Sequence, residues 1–176
     1  MTTSVLYVCA LPANSELLEQ SWLNRAAAWR AGTRHKNPMV HMELFFPENA
    51  DTLDASGLGV GIVYGGEVFV KPKTFHRSTW KFMGIPVTQL QFDRCLDWCK
   101  QRKGCKFNKM GFYGGCNQAN RYYCSQLVGD CLRDNGVAEL TNKQCSHPNK
   151  LYNALQQETI SFIGTPKLAK RTLTLL

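Results

Sequence analysis

A chain of 176 residues is long enough to bury one ordinary core and too short for two, so a single domain spanning 1–176 is expected. Hydrophobic content of 44% and charged content of 19% exclude a disordered chain, and no apolar run reaches the length of a transmembrane helix. A net charge of +8 favours anionic partners, and eight cysteines fall below the density of a disulfide scaffold.

The first segment, Val5 to Leu11, has the apolar character of a signal-peptide core, but no Lys or Arg precedes it and helix-starting residues follow, so it reads as a strand. With no secretion signal, a soluble, reduced, intracellular protein is the expectation. Asn14-Ser15-Glu16 then supplies caps for a helix carrying Leu17, Leu18, Trp22, Leu23, Ala26 and Trp29, which ends near Gly32. Met39 to Phe46 alternates as a strand. Val40, Met42, Leu44 and Phe46 fall on one side, and His41, Glu43 and Phe45 on the other.

Val60 to Tyr64, a Gly65-Gly66 turn and Glu67 to Val70 predict an antiparallel hairpin, and a further strand is expected around Trp80 to Met83. Thr88-Gln89-Leu90-Gln91 has the form of a capping box, and Phe92, Cys95, Leu96 and Cys99 follow at helical spacing before Gly104 closes the element. A loop rich in glycine and aromatics, from Cys105 to Cys116, leads to Tyr122-Tyr123-Cys124. Pro148 precedes an amphipathic stretch with Leu151 and Leu155, and a basic tail occupies about 165–176.

Cys124, Leu127, Val128, Cys131 and Leu132 line one side of a helix, with Gly136 placed for a left-handed C-terminal cap. Cys124 therefore opens that helix, where unpaired N–H groups and the positive end of the helix dipole favour a thiolate. The alternative is a small buried hydrophobe. A nucleophilic cysteine needs a base, and of the four histidines His41 has the best support, because it lies on a regular strand while His35 and His76 fall in loops and His147 adjoins Pro148.

The order of these parts, a histidine strand in a His-x-Glu-Leu context, a hairpin, a helix, a Phe107-Asn108 loop and then Tyr123-Cys124-Ser125 opening a helix, resembles the circularly permuted NlpC/P60 cysteine hydrolases. That papain-like group includes the YiiX-like and lecithin:retinol-acyltransferase-like proteins. In this branch the histidine precedes the cysteine. The resemblance covers roughly Val40 to Gly136 and implies an α+β, permuted papain-like fold: an antiparallel sheet packed against helices, with the nucleophile at a helix N-terminus. The Lys106-Phe107-Asn108 loop and the Arg121 to Ser125 run are also similar to large-DNA-virus members, which suggests a viral source, with host cytoplasm or virion as its location.

The resemblance implies a cofactor-free thiol hydrolase in which Cys124 attacks a carbonyl and His41 is the general base, with Asn108 and Tyr123 lining the substrate site. Relatives place a third polar group on the strand after the histidine, and here Val60 to Tyr64 offers only Tyr64. Glu43 is the candidate to orient the ring, although two positions along one strand set it about 7 Å away between Cα atoms. A peptide or isopeptide substrate, with ubiquitin-like proteins among the partners, is the first expectation. An acyl-lipid substrate is the alternative.

Other readings stay open. Cys95, Cys99, Cys105, Cys116, Cys145 and His147 offer zinc ligands, but without paired Cys-x-x-Cys knuckles, and Cys105 with Cys116 could form a disulfide. Lys100, Arg102, Lys103, Lys106 and Lys109, interleaved with Phe107, Phe112 and Tyr113, could contact nucleic acid, yet no known motif accompanies them. A catalytically retired scaffold that binds a partner is the remaining reading.

Overall fold

Alternating apolar residues in the first half of the chain build a sheet, and helical spacing in the second half builds the layer that covers it. The computed structural model describes residues 3–15, 38–48, 56–114 and 118–163. Strands β1 (Thr3–Pro12), β2 (Met39–Pro47), β3 (Gly57–Gly61), β4 (Phe69–Pro72) and β5 (Lys81–Thr88) form one antiparallel sheet in the order β4-β3-β2-β1-β5. Among the described residues five helices follow: α1 (Gln89–Gln101), α2 (Lys109–Gly114), α3 (Cys124–Asp134), α4 (Asn142–Cys145) and α5 (Pro148–Ile163). Two short strands, β6 (Lys106–Phe107) and β7 (Arg121–Tyr122), pair in parallel before α3. The architecture is α+β, an antiparallel sheet packed against helices.

Helix α1 lies on β1 and β5, and α3 and α5 lie on β2. The core between sheet and helices holds Leu6, Val8, Met42, Leu44 and Val60 against Cys95, Cys99, Leu127, Val128, Leu132, Leu151 and Leu155. The opposite sheet face is also covered, by a smaller cluster of Cys9, Leu11, Val40, Phe45, Phe75 and Trp80. Burial on both faces is why β1 and β2 read as nearly continuous apolar runs.

Local signals act where the spacing puts them. Thr88 Oγ1 accepts from Gln91 N at 3.2 Å while Gln91 Oε1 accepts from Thr88 N at 3.0 Å, so the capping box closes. At the far end of α3, Gly136 takes φ +64°, and Val137 N donates to Leu132 O while Gly136 N donates to Arg133 O. These two bonds form a Schellman cap, which a residue with a side chain would strain.

Two expectations need correction. Val40 does not share a face with Met42. Leu11 pairs with His41 but Pro12 pairs with Met39, so Val40 is an extra residue on β2, a β-bulge. Met39 and Met42 consequently both reach the helix-side core, and Val40 packs with Phe45 on the other face. The hairpin is also longer than predicted: Gly61 pairs with Phe69, and Glu67 and Val68 leave the sheet. Their backbone is engaged elsewhere, since Val68 N donates to Cys105 O, Gly104 N to Val68 O and Phe107 N to Gly66 O. The Gly65-Gly66 turn survives inside this connection, with Gly65 at φ +75° and Gly66 N donating to Val63 O. The expected helix from Asn14 to Gly32 falls largely outside the described residues, as do Cys116 and the basic tail.

Candidate active site

Cys124 begins α3 and is 6% exposed. Tyr123 takes the N-cap position with extended backbone (φ −112°, ψ 166°), and its side chain makes no capping bond, so none of the first N–H groups of α3 is taken by the cap. The helix is seated deeply: every residue from Cys124 to Gly129, with Cys131 and Leu132, is buried. Ser125 Oγ donates to Cys145 O at 2.8 Å, tying the first turn of α3 to α4. Gly129 brings those elements together, because a Cβ there would lie 2.2 Å from Cys145 Sγ.

His41 stands beside the Val40 bulge. The Met39 N–H at that bulge donates to Asn149 Oδ1 of α5 at 3.2 Å, so the irregular strand segment is held from the helix layer. The His41 ring lies within interaction range of the Cys124 side chain, and its Nε2 lies 3.0 Å from Glu43 Oε1. Trp80 covers the ring edge-on with centroids 6.0 Å apart. Burial by itself would lower the His41 pKa, but the hydrogen bonds and charge interactions with Cys124 and Glu43 outweigh it and raise it from 6.5 to about 10. Burial would likewise raise the Glu43 pKa, and His41 and Lys73 outweigh it, holding the carboxyl below its ordinary value.

The span between the His41 and Glu43 backbones is crossed by the length of the two side chains. Room for the glutamate comes from the neighbouring strand, where Leu44 pairs with Val60 and Glu43 therefore faces Gly61. A Cβ at Gly61 would come within 2.7 Å of Glu43 Cγ. The apolar character of Val60 to Tyr64, read from sequence as the lack of a third polar group, thus includes the glycine that admits one from β2.

Lys73 was not singled out by the sequence. Its Nζ reaches Glu43 Oε2 at 2.5 Å and lies 4.6 Å from the Phe75 ring centroid and 4.9 Å from that of Trp80. A glycine at alternate positions of β3, Gly57, Gly59 and Gly61, was the available signal, since such a stripe clears one sheet face for long side chains.

The other two candidates, Asn108 and Tyr123, are both buried. Asn108 is fully buried, its Oδ1 accepting from Gly111 N at 2.8 Å at the start of α2 and its own N–H donating to Tyr122 O. Tyr123 is 5% exposed and packs edge-on against Phe112 with centroids 6.3 Å apart. Burial, with Asp130, Cys145 and Cys124 nearby, raises its pKa to about 12.

Cys9, Cys95, Cys99, Cys105, Cys124, Cys131 and Cys145 are free thiols. Among the described residues, no group of three or more His, Cys, Asp or Glu side chains could hold a metal ion, and no helix is long and apolar enough to cross a membrane. No protein-family model, curated protein or solved structure matches the chain.

Proposed function

We propose that the chain is a thiol hydrolase of the permuted NlpC/P60, papain-like kind, with Cys124 as nucleophile, His41 as general base and Glu43 orienting the imidazole. The observation that carries this reading is the placement of His41, beside the side chain of Cys124 at the mouth of α3 and with Nε2 3.0 Å from the carboxylate of Glu43.

In the proposed reaction the proton of Cys124 already rests on His41, as the raised imidazole pKa favours, and the sulfur attacks a substrate carbonyl carbon. The carbonyl oxygen gains the displaced electron pair and meets the N–H groups of the first turn of α3, which no capping side chain occupies. Collapse of this intermediate breaks the bond to the leaving group, which His41 protonates. Water then attacks the thioester with His41 again as base, releasing the acid and the free thiol. Glu43 keeps Nε2 engaged, so that the other ring nitrogen faces sulfur, and its negative charge favours the imidazolium formed in each cycle.

A peptide or isopeptide bond is the first choice of substrate. The acyl-lipid alternative draws on Val63, Met110 and Tyr113, which are more than half exposed, with Tyr113 bonded to the Tyr64 hydroxyl at 2.9 Å. The nucleic-acid reading is weakened because three of its cations are engaged: Lys100 with Asp97 at 3.6 Å, Lys106 with Glu67, and Arg102 stacked 3.5 Å from the Trp98 ring centroid.

Iodoacetamide should label Cys124 faster than the other cysteines at neutral pH, and His41→Ala should slow that labelling. Equal rates across the cysteines would overturn the nucleophile. Probes with ubiquitin-like, peptide and acyl-lipid recognition elements then separate the substrate classes by which one forms an adduct at Cys124.

A further inference from the structure

Glu43 has two carboxylate oxygens and only one can serve His41. A carboxylate on a side chain with three rotatable bonds holds a fixed direction only if its second oxygen is also tied. That oxygen, Oε2, accepts from Lys73 Nζ at 2.5 Å, the range of a strong charge-assisted bond.

Lys73 is itself held. Its ammonium sits over the rings of Phe75 and Trp80, at 4.6 and 4.9 Å from their centroids, with Phe69 at 5.6 Å. Its aliphatic stem runs over Gly59, where a Cβ would lie 2.9 Å from both Lys73 Cβ and Cδ. Trp80 is the same ring that covers His41. Sheet, lysine, carboxylate and imidazole therefore form one continuous chain of contacts.

We infer that Lys73 is a positioning residue of the site: it anchors Oε2 of Glu43 so that Oε1 stays aimed at His41 Nε2. The inference rests on the proposed Cys124–His41 chemistry. Lys73 acts through Glu43 and has no part in bond making. Three titratable groups of the described residues face Glu43: His41 on its own strand, Lys73 following β4, and Cys9 opposite it on β1. Burial and Glu43 together keep the Cys9 thiol neutral by raising its pKa, with Lys73 opposing.

The test is the pH profile of Cys124 alkylation by iodoacetamide in the full chain. Lys73→Met keeps a long apolar stem over the rings and removes the cation. A pair whose lysine is one-quarter exposed is worth up to about fivefold, so the rate at pH 7 should fall by about that factor. The acid limb of the profile should move to higher pH, because the carboxyl loses the cation that favours its ionised form. A merely structural lysine would alter stability without moving that limb.

Unchanged rate and unchanged acid limb in Lys73→Met, with a fast, His41-dependent wild type, would overturn the inference alone. A slow or His41-independent wild type would overturn the hydrolase reading beneath it. Should Lys73→Met fail to fold, the wild type still decides: a through-hydrogen-bond NMR coupling between the Lys73 ammonium nitrogen and the Glu43 carboxyl carbon supports the anchor, and its absence when Lys73 is labelled overturns it.

Discussion

Glu43 and Gly61 face each other across β2 and β3, and the glutamate side chain occupies the space that a side chain on Gly61 would need. Gly61→Ala should therefore act on the site without replacing any titratable group. Its Cβ would meet Glu43 Cγ at 2.7 Å and Phe69 at 3.0 Å, an overpacking that typically costs about 1–3 kcal/mol. Displacing the carboxylate should slow Cys124 alkylation by about tenfold, a difference of about 1.4 kcal/mol in the barrier. Retention of the wild-type rate in a folded variant would show that Glu43 does not need this place.

The pH dependence of stability follows from the same pair. His41 has a folded-state pKa raised from 6.5 to about 10, so its contribution is complete below about pH 6.5 and disappears as pH climbs toward about 10. Glu43 is shifted down from 4.5, so its contribution is complete above that value and disappears as the solution becomes more acid. The thermal midpoint, followed against pH, should be highest between these limits. His41→Gln should remove the fall in stability seen as pH climbs toward about 10, and Glu43→Gln the fall seen as the solution becomes more acid.

Gly129→Ala sets two effects against each other. Alanine is a better helix former than glycine by about 1 kcal/mol. Its methyl would meet Cys145 Sγ at 2.2 Å and Cβ at 2.9 Å, inside the buried contact between α3 and α4. Overpacking of this kind costs about 1–3 kcal/mol, and the neighbouring side-chain bond from Ser125 Oγ to Cys145 O resists its relief. The net result should be destabilisation by up to about 2 kcal/mol in urea unfolding, and a stabilised variant would mean that α4 yields freely.

Gln91 joins two helix ends. Its Oε1 accepts from Thr88 N, and its Nε2 donates to Gly136 O at 2.9 Å, so the start of α1 is tied to the cap of α3. Gln91→Ala should cost about 1–2 kcal/mol, whereas Gln91→Glu keeps the capping bond and should cost less. The difference between the two variants in chemical denaturation measures the inter-helix bond.

Much of this was legible where the signal is local. The capping box at Thr88, the glycine cap at Gly136 and the apolar stripe of α3 each depend on residues within a few positions, and each forms as the spacing predicts. The Val40 bulge was not legible, because period-2 alternation has no term for an inserted residue and the bulge is set by pairing between Pro12 and Met39 from a distant strand. The hairpin was drawn too tight for a related reason: the backbone of Val68 pairs with Gly104 and Cys105, which no short-range pattern encodes. His41 and Cys124 could be proposed from residue type and element position. Lys73 could not, since its partner lies across two strands and its stem is admitted by glycines whose purpose shows only in three dimensions.

The inner position of β1, paired on one edge to β2 and on the other to β5, governs the order in which a new chain can be completed. A ribosome releases β1, β2 and the imidazole while β5 and the whole of α3 are still untranslated, leaving β1 with a bare edge and the base with no sulfur to meet. A nascent or prematurely terminated product can hold the sheet's first strands and still lack the pair entirely. Reactivity at Cys124 would then report that translation has carried the chain through α3.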